Sequence, residues 1–177
     1  MIQEIKELRV KIDGLYNLTR DLKPYSMYGI KAIVKMDVPS FNSWEIEDAA
    51  KSLLLAKAWL GKLLGELGSE NPYSSGKKEV KDIEPTADTH WQKDWDNLYD
   101  VDGCKVVNLS HIQKVDWLRS EIQSVIDEVQ LITDDVTHRV DRSNYRRALC
   151  VQNTYKHLCE AKMWLGFEFA RIKEENL

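Results

Sequence analysis

The sequence contains an internal duplication, and this feature restricts the possible folds more than any other. Residues 51–61 and 156–166 are identical at seven of eleven positions, and each contains an Ala-Lys-x-Trp-Leu-Gly box. Residues 2–12 and 112–122 are identical at five of eleven positions. The two blocks keep their order in both copies. Equivalent residues are 110 positions apart in block 2–12 and 105 positions apart in block 51–61, so the segment between the blocks differs in length between the copies. Unrelated stretches of ordinary composition share about one residue in eleven. The chain is therefore predicted to be a tandem repeat of one two-block unit.

Each block is predicted to be a helix, because its apolar residues recur at spacings of three and four. In the first block these residues are Ile2, Ile5, Leu8, Ile12, Leu15 and Leu22, and in its copy Ile112, Val115, Leu118, Ile122, Val125, Val129 and Val136. Lys23-Pro24 and Gly68 are expected to end helices. Ser110-x-x-Gln113 is a capping-box pattern that begins one. The helices of the second block are predicted over about 43–67 and 144–172.

These helices predict an all-α fold made of two long antiparallel hairpins. Hairpin copy one occupies 1–68, an acidic linker 69–108 and hairpin copy two 109–177. Each hairpin exposes an apolar stripe, and packing four helices together buries both stripes. The tryptophans of the two boxes, Trp59 and Trp164, are interpreted as core residues at equivalent places.

Two segments have a different pattern and are predicted to form a small β element. Apolar residues alternate with polar ones near 30–38, and a shorter candidate strand follows at 104–107. In the linker, Trp91, Trp95 and Tyr99 are spaced by four, which favours a short amphipathic helix docked on the bundle.

Composition and charge narrow the class of protein. The mean hydropathy is negative, and apolar runs are far shorter than the ~20 residues of a membrane span. No leader-like segment opens the chain, and three cysteines without CxxC spacing argue against a disulfide framework. We therefore expect a cytoplasmic protein, in the host-cell cytoplasm if it is viral. The linker has nine acids and five lysines, so long nucleic acid and membranes are not expected partners.

Neither a metal site nor a cofactor site is predicted. The four histidines are scattered, and a single Asp135-x-x-His138 lacks the second copy that a di-iron bundle requires. Nucleophile elbows, Walker loops and dinucleotide fingerprints are not found in the sequence. We therefore predict no catalytic residues and no enzyme activity.

One catalytic alternative remains open at the level of sequence. Glu4-x-x-Glu7 and Glu45-x-x-Asp48 resemble the paired acidic motifs with which MazG-type nucleotide pyrophosphohydrolases hold magnesium. The other interpretation of these acids is that they lie in first helical turns, where the helix dipole favours carboxylates.

A cluster of arginines marks the predicted ligand site. Four of the eight arginines in the chain fall between 139 and 147, with a tyrosine among them. Guanidinium groups bind phosphate oxygens in pairs, and an aromatic ring beside them can stack on a base. The predicted ligand-binding residues are Arg139, Arg142, Tyr145, Arg146 and Arg147, with Lys162 of the second box as a further candidate. The alternative is a solvated tip whose arginines pair with acids such as Asp134, Asp135 and Asp141.

The second hairpin resembles a known family. Ser143-Asn-Tyr-Arg-Arg147 followed by Tyr155-Lys-His-Leu-Cys-Glu-Ala-Lys-Met-Trp-Leu-Gly166 is similar to the helical hairpin of phage signal sponges. Those proteins counter CBASS and Thoeris immunity by sequestering cyclic oligonucleotides or cyclic ADP-ribose isomers without cleaving them. The resemblance implies a homo-oligomer that binds a small anionic nucleotide between subunits through basic and aromatic side chains. A duplicated hairpin is a departure from the family, and copy one lacks the arginine cluster.

The sequence thus supports three hypotheses from different classes. The first is a phage-type sponge for a small cyclic nucleotide or cyclic ADP-ribose-like immune signal. The second is a structural or assembly helical protein of viral origin. The third is the metal-dependent pyrophosphohydrolase described above.

Overall fold

The protein is a bundle of four helices in a computed structural model that describes residues 1–22, 44–69, 95, 109–137 and 142–175. The helices are α1 (Ile2–Asp21), α2 (Trp44–Glu66), α3 (His111–Thr137) and α4 (Arg142–Glu175). The predicted all-α fold is confirmed. The predicted strands at 30–38 and 104–107 lie outside the described residues, as do Trp91 and Tyr99. Within the described residues, no helix is long and apolar enough to cross a membrane.

Two helix ends follow the predicted signals. At the start of α3, the backbone N–H of Ser110 donates to Gln113 Oε1 at 2.9 Å, and the N–H of Gln113 donates to Ser110 Oγ at 3.4 Å. This reciprocal pair is the capping box expected from the sequence. After α2, Gly68 has a φ of 75°, and the N–H of Ser69 donates to the Leu64 carbonyl at 2.9 Å. A glycine tolerates this left-handed conformation without a Cβ clash.

The helices form a closed ring in the order α1, α2, α4, α3. Three neighbouring pairs are antiparallel, because the end of one helix lies beside the start of the other: Glu66 contacts Arg147, His111 contacts Glu168, and Leu18 and Trp117 both contact Trp95. In the closed ring, the fourth pair, α1 and α2, is then antiparallel as well. It follows that α2 and α3 run in the same direction. The end of α2 and the start of α3 therefore lie at opposite ends of the bundle.

Trp95 contacts both α1 and α3. Its indole N–H donates to the carbonyl of Leu18, near the end of α1, at 3.2 Å. Its ring meets Trp117, near the start of α3, edge-on at a centroid distance of 5.6 Å, and Lys114 Nζ lies 5.3 Å from the ring centroid. A tryptophan of the linker thus docks on the bundle at the end where α3 begins.

The duplication is visible in three dimensions as an approximate two-fold relation between the hairpins. Most equivalent positions of the two copies are buried or exposed to the same degree. The pairs that are buried in both copies include Ile5 and Val115, Leu8 and Leu118, Ile12 and Ile122, Leu53 and Leu158, and Leu60 and Leu165. Trp59 and Trp164 lie on α2 and α4, both half-buried against the core. Because equivalent helices face each other, the two hairpins pack as the halves of a symmetric dimer do.

One departure from this symmetry places a carboxylate in the core of copy two. Copy one has Leu63, fully buried, where copy two has Glu168, whose side chain is also fully buried. Glu168 accepts hydrogen bonds from Arg171 at 2.8 Å and pairs with His111 at 3.1 Å. Burial alone would raise the pKa of this carboxyl group, but its bonds to His111 and Arg171 outweigh burial, and its pKa is lowered. The carboxylate is therefore held in its charged form.

Candidate functional site

The arginine cluster at residues 139–147, which we call the arginine tip, contains residues with different structural roles. Arg147 is half-buried, and its Nη2 and Nε donate to the carbonyl of Glu66 at 3.1 and 3.3 Å. It thereby satisfies an unpaired carbonyl at the C-terminal end of α2. Arg146 is exposed, and Tyr145 is 72% exposed. Arg142 is the first residue of α4, and Arg139 lies outside the described residues. One predicted ligand residue is thus used to join the two hairpins.

Lys162 does not lie at this tip. It is fifteen residues beyond Arg147 on the same helix, a separation of roughly 22 Å. The structure therefore does not bring all the predicted ligand residues together. Lys162 instead lines a cavity between α3 and α4, which we call the α3–α4 groove.

The α3–α4 groove has a volume of about 360 Å³, at the lower end of the range for small-ligand sites. Its walls are the facing ridges of the two helices of hairpin two. The lining residues are Arg119, Gln123, Ile126 and Gln130 of α3 with Tyr155, Cys159, Lys162, Met163 and Gly166 of α4. Spacings of three and four on both helices place these side chains along one continuous channel.

Arg119 is the first of two cations in this groove. Its Nε is buried and has no hydrogen-bond acceptor among the described residues. The nearest carboxylate that pairs with it, Asp116, is 3.8 Å from Nη1. The guanidinium carbon also lies 5.3 Å from the ring centroid of Phe169. A buried N–H without a protein acceptor is uncommon in folded proteins, and ordered water or a ligand atom is its usual acceptor.

Lys162 is the second cation. Its Nζ donates to Gln123 Oε1, and the Gln123 amide donates in turn to Asp127 at 2.6 Å. In the part of the chain that the structure describes, no carboxylate forms an ion pair with Lys162. Its positive charge is thus held by a neutral partner and is not neutralised by it.

The equivalent lysine of copy one has a different partner. Lys57 corresponds to Lys162, and Asp13 corresponds to Gln123. Lys57 Nζ forms an ion pair with Asp13 Oδ1. The contact between the box lysine and the first helix of its hairpin is therefore kept in both copies, while its charge balance differs. Copy one balances the charge of its lysine with a carboxylate, whereas copy two pairs its lysine with a neutral amide.

Tyr155 and Cys159 form the opposite end of the α3–α4 groove. The two side chains are hydrogen-bonded, and this bond raises the pKa of the Tyr155 phenol. The phenol is therefore neutral at physiological pH and retains its proton. The Cys159 thiol is half-buried beside it. The Tyr155 ring lies about two helical turns along α4 from Lys162, and it offers a surface for a base or another planar group.

The acidic motifs of the pyrophosphohydrolase hypothesis do not converge. Glu4 and Glu7 lie at the start of α1, and Glu45 and Asp48 lie at the start of α2. Since these helices are antiparallel, the two pairs are at opposite ends of the bundle, on the order of 30 Å apart. The described residues also contain no group of three His, Cys, Asp or Glu side chains placed to hold a metal ion.

Sequence reasoning found Lys162 but missed its neighbours in the groove, namely Arg119, Gln123, Gln130 and Tyr155. One signal for them was present in the repeat. Arg119 lies inside the duplicated block as the equivalent of Arg9, and the next equivalent pair beyond the block is Asp13 and Gln123.

Comparison with known proteins identifies no relative: no family model, curated protein or solved structure matches the chain.

Proposed function

We propose that the protein binds a small nucleotide-like anion in the α3–α4 groove and sequesters it without cleaving it. The observation that carries this proposal is that copy two has Gln123 at the position where copy one has Asp13. Lys162, beside Arg119, is therefore paired with an amide and not with a carboxylate. The unsatisfied Nε of Arg119 supports the same assignment, because a phosphate oxygen would provide its acceptor. The resemblance of hairpin two to phage signal sponges supports sequestration as the function.

The arrangement of groups favours one chemical class of ligand. Arg119 lies one turn before Gln123 on α3, and Lys162 lies one turn before Gly166 on α4, so both cations border the same space. Two neighbouring cations suit two neighbouring phosphates, and the groove offers one aromatic ring. A cyclic ADP-ribose isomer has a pyrophosphate and a single base. A cyclic dinucleotide separates its two phosphates across a ring and has two bases. We therefore assign the cyclic ADP-ribose class to the groove.

The proposal is tested by isothermal titration calorimetry with cyclic ADP-ribose isomers, ADP-ribose, cyclic dinucleotides and cyclic trinucleotides, with and without magnesium. We expect binding of a cyclic ADP-ribose isomer without added metal. Chromatography of the ligand after incubation should recover it unchanged. Recovery of a hydrolysed product would contradict sequestration, and absence of binding across the panel would favour a structural or assembly protein.

Gln123→Asp should weaken binding of the ligand by ~10-fold to ~100-fold. The substitution gives Lys162 the carboxylate partner that Lys57 has in copy one, and the loss of one charge-assisted hydrogen bond is worth ~1.5–3 kcal/mol. Ser124→Asp is the matched control, because it adds the same charge one residue away. Ser124 lines a cavity between α1 and α3 on another face of the helix. Equal loss in both variants would mean that only net charge matters.

A third variant separates the groove from the arginine tip. Arg146→Ala removes an exposed guanidinium at the tip and should leave binding in the groove unchanged. If Arg146→Ala abolished binding while Gln123→Asp preserved it, the ligand site would be the tip predicted from the sequence.

Gly166→Ala is a further test of the α3–α4 groove, and it should raise stability while it weakens binding. A Cβ at Gly166 would lie 3.8 Å from Nε and Nη2 of Arg119, which is ordinary van der Waals contact. Replacing an interior helical glycine should therefore raise the free energy of unfolding by about 0.5–1 kcal/mol. The added methyl group also occupies the edge of the groove beside Arg119, so affinity for the ligand should fall. Unchanged affinity would place the ligand elsewhere.

Self-association belongs to the same proposal. Trp44 and Phe167 are 53% and 51% exposed, and both pack against Trp164 with ring centroids 5.7 and 5.6 Å away. This aromatic surface spans α2 and α4 and supports a homo-oligomer. Light scattering at tens of micromolar should give the mass of a dimer or trimer, which Phe167→Glu should reduce. A monomer at that concentration would contradict the proposal.

A further inference from the structure

We infer that hairpin one contains a second copy of the anion site, which the ion pair between Asp13 and Lys57 keeps closed to anions. This inference rests on the proposed function of the α3–α4 groove. The second site lies between α1 and α2, and we call it the α1–α2 groove. It consists of Arg9, Asp13, Tyr16, Arg20, Lys57 and Gly61.

The α1–α2 groove keeps three of the nine residues that line the α3–α4 groove. Arg9, Lys57 and Gly61 are identical to Arg119, Lys162 and Gly166, the residues at the equivalent positions. The two arginines are half-buried to a similar degree, as are the two lysines. These residues lie where the two helices of hairpin one face each other, as the ion pair between Asp13 and Lys57 shows.

Copy one also provides an aromatic group, although from the other helix. Tyr16 of α1 stands at the position of Ile126 and is half-buried against the core. Arg20 stands at the position of Gln130, and its guanidinium carbon lies 5.9 Å from the centroid of the Tyr16 ring. The α1–α2 groove therefore combines an aromatic ring with three basic side chains, one more than the α3–α4 groove has.

Asp13 is the group that opposes anion binding. It lies at the centre of this arrangement, and its carboxylate pairs with Lys57. The side chains of Asp13 and Lys57 are only 30% and 28% exposed, so water screens the pair less than it screens a surface ion pair. A phosphate approaching Lys57 would meet the negative charge of Asp13 at close range. Replacing Asp13 by an uncharged amide of the length found in copy two removes this repulsion.

The inference is tested on the full chain by calorimetry with cyclic ADP-ribose as the probe. Wild type should bind one equivalent per chain, and Asp13→Gln should bind two. The double variant Asp13→Gln with Gln123→Asp has the composition and net charge of wild type, and it should bind one equivalent in hairpin one. Asp13→Asn, with a shorter amide, serves if Asp13→Gln is not helical by circular dichroism.

The location of the bound probe is read from protection of Cys159 against alkylation, in a Cys104→Ser background. Burial raises the pKa of the Cys150 thiol, so Cys150 should react slowly. The probe should protect Cys159 in wild type and in Asp13→Gln, but not in the double variant. One equivalent in wild type and in Asp13→Gln, together with none in the double variant, would overturn the second site and leave the proposed function intact. No binding to wild type would overturn the proposed function itself.

Discussion

Arg171→Met should lower the free energy of unfolding by about 3 kcal/mol, whereas Glu168→Leu should leave it unchanged or raise it. The carboxylate of Glu168 is fully buried, so loss of Arg171 leaves a buried charge with His111 as its remaining partner. Loss of Glu168 should not lower the free energy of unfolding, because His111 and Arg171 are partly exposed and water can solvate them. Leu63 shows that leucine fits the equivalent position of copy one.

Chemical denaturation of both variants at neutral pH measures this asymmetry. Lys173→Met is the matched control for Arg171→Met, since it removes an exposed cation two residues away. Equal destabilisation by Arg171→Met and Glu168→Leu would mean that the buried pair is a net stabilising interaction.

The same carboxylate predicts a direction for the pH dependence of stability. The folded pKa of Glu168 is lowered, so its contribution is fully present above the unfolded pKa of about 4.3. The contribution is lost as the pH falls through the lower folded pKa. Wild type should therefore lose stability below about pH 4.3 more steeply than Glu168→Leu does.

Leu53→Ala and Leu158→Ala should each lower the free energy of unfolding by about 3 kcal/mol. Both leucines are fully buried, and each truncation removes transfer free energy and leaves a cavity. Because the positions are equivalent in the two hairpins, the two losses should agree within about 1 kcal/mol. The exposed Leu55 provides a control, and Leu55→Ala should change stability by less than about 0.5 kcal/mol. Strongly unequal losses for Leu53 and Leu158 would show that the hairpins are not energetically equivalent.

Much of the fold is predictable from the sequence because it depends on local patterns and on the repeat. The helix spacings, the capping box at Ser110 and the glycine stop at Gly68 are all local signals. The ring order of the helices is not local. Spacing shows which face of a helix is apolar, but it does not show which helix covers that face. That α2 packs against α4, and that α2 ends and α3 begins at opposite ends of the bundle, required the structure.

The candidate site was less predictable for the same reason. The Arg139 to Arg147 cluster is conspicuous because its members are close in sequence. The α3–α4 groove combines Arg119 with Lys162, residues that are 43 positions apart. Arg147 shows the converse, since its use as a cap for the end of α2 depends on a contact between two hairpins.

The approximate two-fold relation between the hairpins has a consequence for how such a bundle can change. In a homodimer of identical hairpins, every substitution appears twice, once on each side of the axis. A carboxylate that replaces a core leucine would then be buried in both halves, and an amide that replaces Asp13 would alter both grooves. Joining the halves in one chain removes this coupling. Hairpin one can retain Leu63 in its core and a lysine that is paired with a carboxylate, while hairpin two accommodates Glu168 in its core and a Lys162 that is paired with an amide.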